Sequence, residues 1–235
     1  MFFFGIAFAF KLQPLWLAPM LVILWVNKRV DLKHFLWLPL CYFVGIIPAW
    51  IAGKPLGELL TIYISQTQAE SWSLALKYGN LYYLIGETGF IAEYHSAGVW
   101  LTLGVFMIVL YYIGRKKLKI NAEFILLLGG FVGLLAPFFL PQMHERYSFF
   151  AEVFLILYVY DLLDNMVSSI KEHSKKRQSF PKRLRSAAWH LLIPFLAALI
   201  TSIAYQSTGF TILFAILFGV DAFFLLIFLC DIYEL

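Results

Sequence analysis

The chain has 235 residues, of which 62% are hydrophobic and only 14% charged, with a formal net charge of +4. A soluble domain of this length carries about a quarter charged residues, so the composition excludes an ordinary water-soluble fold and points to a polytopic membrane protein. The basic residues sit in short gaps between apolar runs, which suits topology and anionic lipid rather than a nucleic-acid face.

The first apolar run extends from about Phe2 to Val26. Met1 is followed directly by Phe-Phe-Phe-Gly, with no basic region and no small-residue cleavage site, so this is a poor signal peptide. The chain reads as starting inside a membrane segment, as the later part of a longer protein would. Lys11, Gln13 and Pro14 interrupt the run. Lys11 lies about 15 Å along a helix from Met1, too deep to snorkel easily. It needs a carboxylate, a carbonyl or an anionic ligand, and either a structural pair with Glu152 or Asp161 or a ligand-facing role meets that need.

A second span is expected over Phe35 to Ile51. The polar, aromatic segment Ala52 to His95 follows, with apolar residues at helical spacing over Leu56–Ser65 and a second, polar helix over Glu70–Tyr78. Tyr63, Trp72, Tyr78, Tyr82, Tyr83 and Tyr94 suit either a membrane-interface belt or stacking on sugar rings. Gln66, Gln68 and Asn80-Leu81-Tyr82 supply amides and phenols of the kind that bind sugar hydroxyls. Further spans are expected over Ser96–Ile113, Ala122–Leu140, Tyr147–Met166, Ala187–Tyr205 and Phe210–Cys230, giving seven. Cys41 and Cys230 fall within or at the edge of spans, without disulfide or zinc spacing, and read as packing residues. Asp221, in the seventh span, requires an interior partner.

Gap charge tests this count. Lys28, Arg29 and Lys33 lie in one gap, Arg115, Lys116, Lys117 and Lys119 in another, and seven more Lys and Arg in Ser168–Ser186. Fourteen of the 18 Lys and Arg thus occupy alternate gaps, as the positive-inside rule requires of seven spans with a cytoplasmic C-terminus. The long segment and the gap around His144-Glu145-Arg146 then face outward, at an inner (plasma) membrane. These three side chains stand between two apolar runs, flanked by Pro137 and Pro141. Arg146 can fork onto a phosphate or carboxylate, His144 can donate a hydrogen bond or a proton, and Glu145 can orient either. The alternative is a polar turn in which Arg146 pairs with Glu145 or Glu152.

Nucleotide-binding glycine loops, zinc spacings and nucleophile elbows are absent from the sequence. An enzyme of this kind would use an activated substrate carried by a lipid. His-Glu-Arg-Tyr after Pro-Phe-Phe-Leu-Pro-Gln-Met resembles the later half of GT-C glycosyltransferases that use polyprenyl-phosphate sugars. Ala9-Phe10-Lys11-Leu12-Gln13, Tyr63 with Gln66, and Asn80-Leu81-Tyr82 are similar to the same family. The nearest likeness is to bacterial members related to dolichyl-phosphate-mannose- and glucose-dependent transferases. It covers about Phe4 to Tyr160; the last two spans match in hydropathy alone.

The resemblance implies an inverting transfer on the outer face, to a glycan, lipid or protein acceptor. It assigns Arg146 and Lys11 to the donor phosphate, His144 to phosphate or sugar, and Glu145 to orienting them. Gln13, Gln66, Asn80 and Tyr82 would contact substrate. No metal ligands are implied, although a divalent ion is compatible with the chemistry. In this family the acidic base usually lies in the first outer loop. No such segment precedes Lys11, so the chain is expected to be a C-terminal portion that lacks its base. Two other classes fit the composition: a transporter or flippase of an anionic lipid-linked sugar, and a non-catalytic assembly subunit.

Overall fold

The computed structural model describes residues 1–69, 73–76, 78–86, 92–116, 118–171, 184–185, 188–190, 192, 196 and 208–233; the side chains of residues 66–69, 92, 145, 166, 169–171, 208–211, 214 and 231–233 lie outside that description. The chain is mostly helical and divides into two compact units, Met1–Trp72 and Ser73–Leu235.

In the first unit α1 (Phe2–Phe10) ends at Lys11, whose extended backbone breaks the helix. A 3-10 turn, Gln13–Leu17, carries Pro14 in its first turn and leads into α2 (Ala18–Val26). Proline has the fixed φ of a helix start and no N–H to pair, so it restarts the helix instead of continuing it. The first apolar run is therefore two helices joined at Lys11. α1 packs on α3 (Trp37–Ile51). A Cβ at Gly5 would lie 2.6 Å from the carbonyl oxygen of Trp37, so the closeness of α1 and α3 depends on that glycine. Two short helices follow, α4 (Leu56–Leu60) and α5 (Ile62–Ala69).

The second unit holds a two-residue strand β1 (Ala75–Leu76), α6 (Leu81–Leu84), α7 (Ala92–Arg115), α8 (Ala122–Phe139), strand β2 (Met143–His144), α9 (Phe149–Lys171) and α10 (Thr208–Tyr233). Asn121 caps α8 by accepting a 2.9 Å hydrogen bond from the Phe124 N–H, as expected of a side-chain amide at that position. The core lies where α8 meets α9 and α10. Leu127, Leu128, Leu134, Leu155, Leu225 and Leu229 are all fully buried.

Among the described residues, three helical stretches have the length and apolarity to cross a membrane: Leu32–Ile51, Glu93–Arg115 and Ala122–Phe139. These support an all-α membrane chain without reaching seven crossings. Among the other expected spans, the first is broken at Lys11, and α9 carries Glu152, Asp161 and Asp164. The sixth, Ala187–Tyr205, falls largely outside the described residues. The expected polar helix over Glu70–Tyr78 lies partly outside the described residues; within them β1 stands in its place, because Ala75 and Leu76 pair in parallel with Met143 and His144. Ser73 holds the local bend, its hydroxyl donating to the Ala75 carbonyl at 2.8 Å and accepting from the Ala75 N–H at 3.2 Å. A side chain bonded to nearby backbone in this way competes with helix formation.

Candidate functional site

The β1–β2 pairing brings Ala75–Leu76 to the His-Glu-Arg turn. The Gln142 N–H donates to the Leu74 carbonyl at 2.8 Å and the Tyr78 N–H to the Met143 carbonyl at 3.3 Å. Gln142 enters this clamp with a left-handed φ of 61°. His144 follows as the last strand residue, and Glu145–Ser148 form a 3-10 turn that runs directly into α9.

Tyr147 organises the turn. His144 meets its ring edge-on at 5.5 Å between centroids. The Arg146 guanidinium lies 6.0 Å from the centroid of the same ring, at the outer limit of a cation–π contact. His144 is half-buried and Arg146 exposed. The Glu145 side chain lies outside the described residues.

Asn80 and Tyr82 are in the same unit, next to this clamp in sequence and structure. Tyr82 is buried and its hydroxyl donates to the Phe139 carbonyl at 3.1 Å, at the end of α8. A Cβ on Gly98 would meet that hydroxyl at 1.8 Å, so α7 accepts the phenol only where it carries glycine. Burial pushes the Tyr82 phenol up to about 12, keeping it a neutral donor. Asn80 is fully buried, and neither atom of its amide has a hydrogen-bond partner among the described residues. Tyr78 is also buried, its ring stacked on Phe218 of α10 at 5.0 Å. Burial raises its phenol far above the usual range, with the Glu152 and Asp221 carboxylates adding to the effect.

Lys11 and Gln13 belong to the first unit. Lys11 is exposed at the break after α1, and Gln13 is half-buried at the head of the 3-10 turn. Tyr63 fixes this corner from α5: its hydroxyl bonds the Phe8 carbonyl and approaches the Ala9 carbonyl at 3.1 Å. Those carbonyls stand at the C-terminal end of α1, where the helix leaves acceptors unpaired. Phe8, Tyr42 and Tyr63 pack as an aromatic trio with centroids 5.4 to 6.0 Å apart. Gln66 lies in α5, and its side chain is outside the described residues.

The structure thus brings His144, Arg146, Asn80 and Tyr82 into one unit around the β clamp, and places Lys11 and Gln13 in the other. Sequence reasoning had no site role for Tyr147 or Ser148, and read Tyr63 as an interface or sugar-stacking aromatic, not as a brace on the end of α1. The Ser148–Glu152 spacing of one helical turn was the available signal for Ser148. Among the described residues no group of three or more His, Cys, Asp and Glu converges as metal ligands do. No family model, curated protein or solved structure matches this chain.

Proposed function

We propose that this chain is the donor-holding part of a membrane glycosyltransferase that moves a sugar from a polyprenyl-phosphate donor to an acceptor on the outer face, with inversion. The observation that carries the reading is the clamp between Ala75–Leu76 and Met143–His144. It joins the turn that carries His144 and Arg146 to an aromatic, amide-bearing segment at one end of α8, as a ligand with both phosphate and sugar requires. Seven crossings, with the C-terminus in the cytoplasm of the inner membrane, are part of the same proposal.

In this reading a carboxylate base takes the proton of the acceptor hydroxyl. The oxygen attacks the anomeric carbon, and the bond from that carbon to the phosphate oxygen breaks. Negative charge grows on the departing polyprenyl phosphate. Arg146 can fork onto its oxygens and His144 can donate to them. Donors already in place stabilise that charge more in the transition state than in the ground state. Tyr147 lies beside both the His144 ring and the Arg146 guanidinium, and Asn80 is the amide for the sugar hydroxyls. Lys11, Gln13 and Gln66 belong to the first unit, and their assignment to substrate rests on the sequence resemblance alone.

The test is reconstitution of the chain in proteoliposomes, with binding of polyprenyl-phosphate hexoses and transfer to added acceptors both measured. Arg146→Ala and His144→Ala should each reduce transfer by at least about 100-fold, the usual loss for a removed oxyanion donor, while membrane insertion is unchanged. Where transfer depends on a base from another polypeptide, donor binding should fall with the same two substitutions. Wild-type turnover and affinity in both variants would overturn the reading.

A further inference from the structure

Glu152 is buried to 8% exposure in the first turn of α9, and its Oε1 accepts a 2.9 Å hydrogen bond from Ser148, which has no exposed surface. An acid in the first turn of a helix is favourable on the surface, where the helix dipole rewards it at little desolvation cost. Burying a carboxylate is costly unless partners recover the lost hydration, so the dipole alone does not account for a buried one. The partner here is informative. Ser148 closes the 3-10 turn that presents Glu145 and Arg146, and it immediately follows Tyr147.

We infer that Glu152 is a positioning residue for the His144–Arg146 turn. It holds Ser148, Ser148 fixes the exit of the turn, and the fixed turn sets the Tyr147 ring against which His144 and Arg146 lie. The entrance of the turn is held separately, by the β clamp and the Tyr78 N–H on Met143. With both ends anchored, the His144 and Arg146 side chains keep one spacing before any ligand arrives, which is what tight recognition of a phosphate requires. The inference rests on the proposed function for what the turn binds, and not for how the turn is held.

The experiment uses the whole chain in lipid nanodiscs, with histidine ring NMR and with farnesyl phosphate as a short prenyl-phosphate probe. The His144 signal is assigned by its loss in His144→Gln. Glu152→Ala and Ser148→Ala should each displace the His144 signal and weaken probe binding by about tenfold, the scale of one charge-assisted hydrogen bond. The double variant should lose no more than either single one. Glu152→Gln keeps an acceptor oxygen at the same reach and should hold both readouts within about threefold of wild type.

Should Glu152→Ala lose helical content by circular dichroism, Glu152→Asp replaces it, because the carboxylate is withdrawn by one methylene; the same losses are expected. An unmoved His144 signal in the variant that folds, or Glu152→Gln as damaging as the alanine, overturns the inference. If wild type binds no farnesyl phosphate while Glu152→Ala still displaces the His144 signal, the positioning role stands and the proposed function falls.

Discussion

His190 Nδ1 and Asp221 Oδ1 meet at 2.5 Å, with both residues buried and 31 positions apart in the chain. Asp221 lies in the middle of the apolar stretch over residues 212–230, so an interior partner was required by its chemistry and expected from the sequence. That the partner is His190 was not legible, because nothing in either segment encodes their register. The same limit applies to Tyr63, whose hydroxyl reaches across 55 residues to the end of α1. Removing one member of the pair should be costly: Asp221→Leu or His190→Leu leaves a buried polar or charged group alone, a loss of about 3–5 kcal/mol for a broken buried pair. The double leucine variant, with both groups removed, should recover most of that loss. Thermal unfolding in detergent micelles measures it, and a double variant as unstable as the singles would show that the pair is not the source.

At the scale of elements, hydropathy made the helices legible and left their interruptions and close contacts obscure. Pro14 and Lys11 signalled a break in the first run, and the break is there. Residues 73–76 have no strand signature of their own. They pair because Met143–His144 offers them an edge, a tertiary contact that local propensity does not contain. The α8–α9 contact is similar. Gly129, Gly130 and Gly133 let the two helices approach closely, as small residues do in membrane bundles. A Cβ at Gly133 would lie 2.9 Å from the backbone nitrogen of Ala151, whereas one at Gly129 would meet the Phe154 ring at 2.5 Å. A ring can turn aside more easily than a helix backbone can move. Gly133→Ala should therefore destabilise by about 1–3 kcal/mol, the range for overpacking, and more than Gly129→Ala does. The comparison is made by thermal unfolding of the two variants in one detergent. The reverse ranking would mean that Phe154 cannot yield and that the backbones can. Because α9 carries the exit of the His144–Arg146 turn, Gly133→Ala should also displace the His144 ring signal.

For the molecule as a whole, gap charge carries the proposed topology, and the second unit is arranged as that alternation requires. The Tyr82 hydroxyl bonds the Phe139 carbonyl at the end of α8 and abuts Gly98 near the start of α7. The β clamp ties the segment before α7 to the turn after α8. The start of α7, the end of α8 and the start of α9 are thus drawn to one end. Lys116 and Lys119 follow the other end of the 24-residue helix α7, about 36 Å away at 1.5 Å per residue, enough to separate the two sides of a hydrocarbon core of about 30 Å. Arg115 and Lys116 lie over the Tyr111 and Tyr112 rings, with 5.6 and 5.5 Å to the centroids, the aromatic and basic mixture that marks an interface. Cysteines placed at exposed Glu93, Lys33 and Lys119, in a chain carrying Cys41→Ser and Cys230→Ala, test the arrangement directly. In intact spheroplasts a membrane-impermeant maleimide should label Glu93→Cys, and label Lys33→Cys and Lys119→Cys only after permeabilisation. Labelling of Lys119→Cys in intact cells would invert the second unit, and would move the His144–Arg146 turn to the cytoplasmic face, where an outward-facing transferase has no use for it.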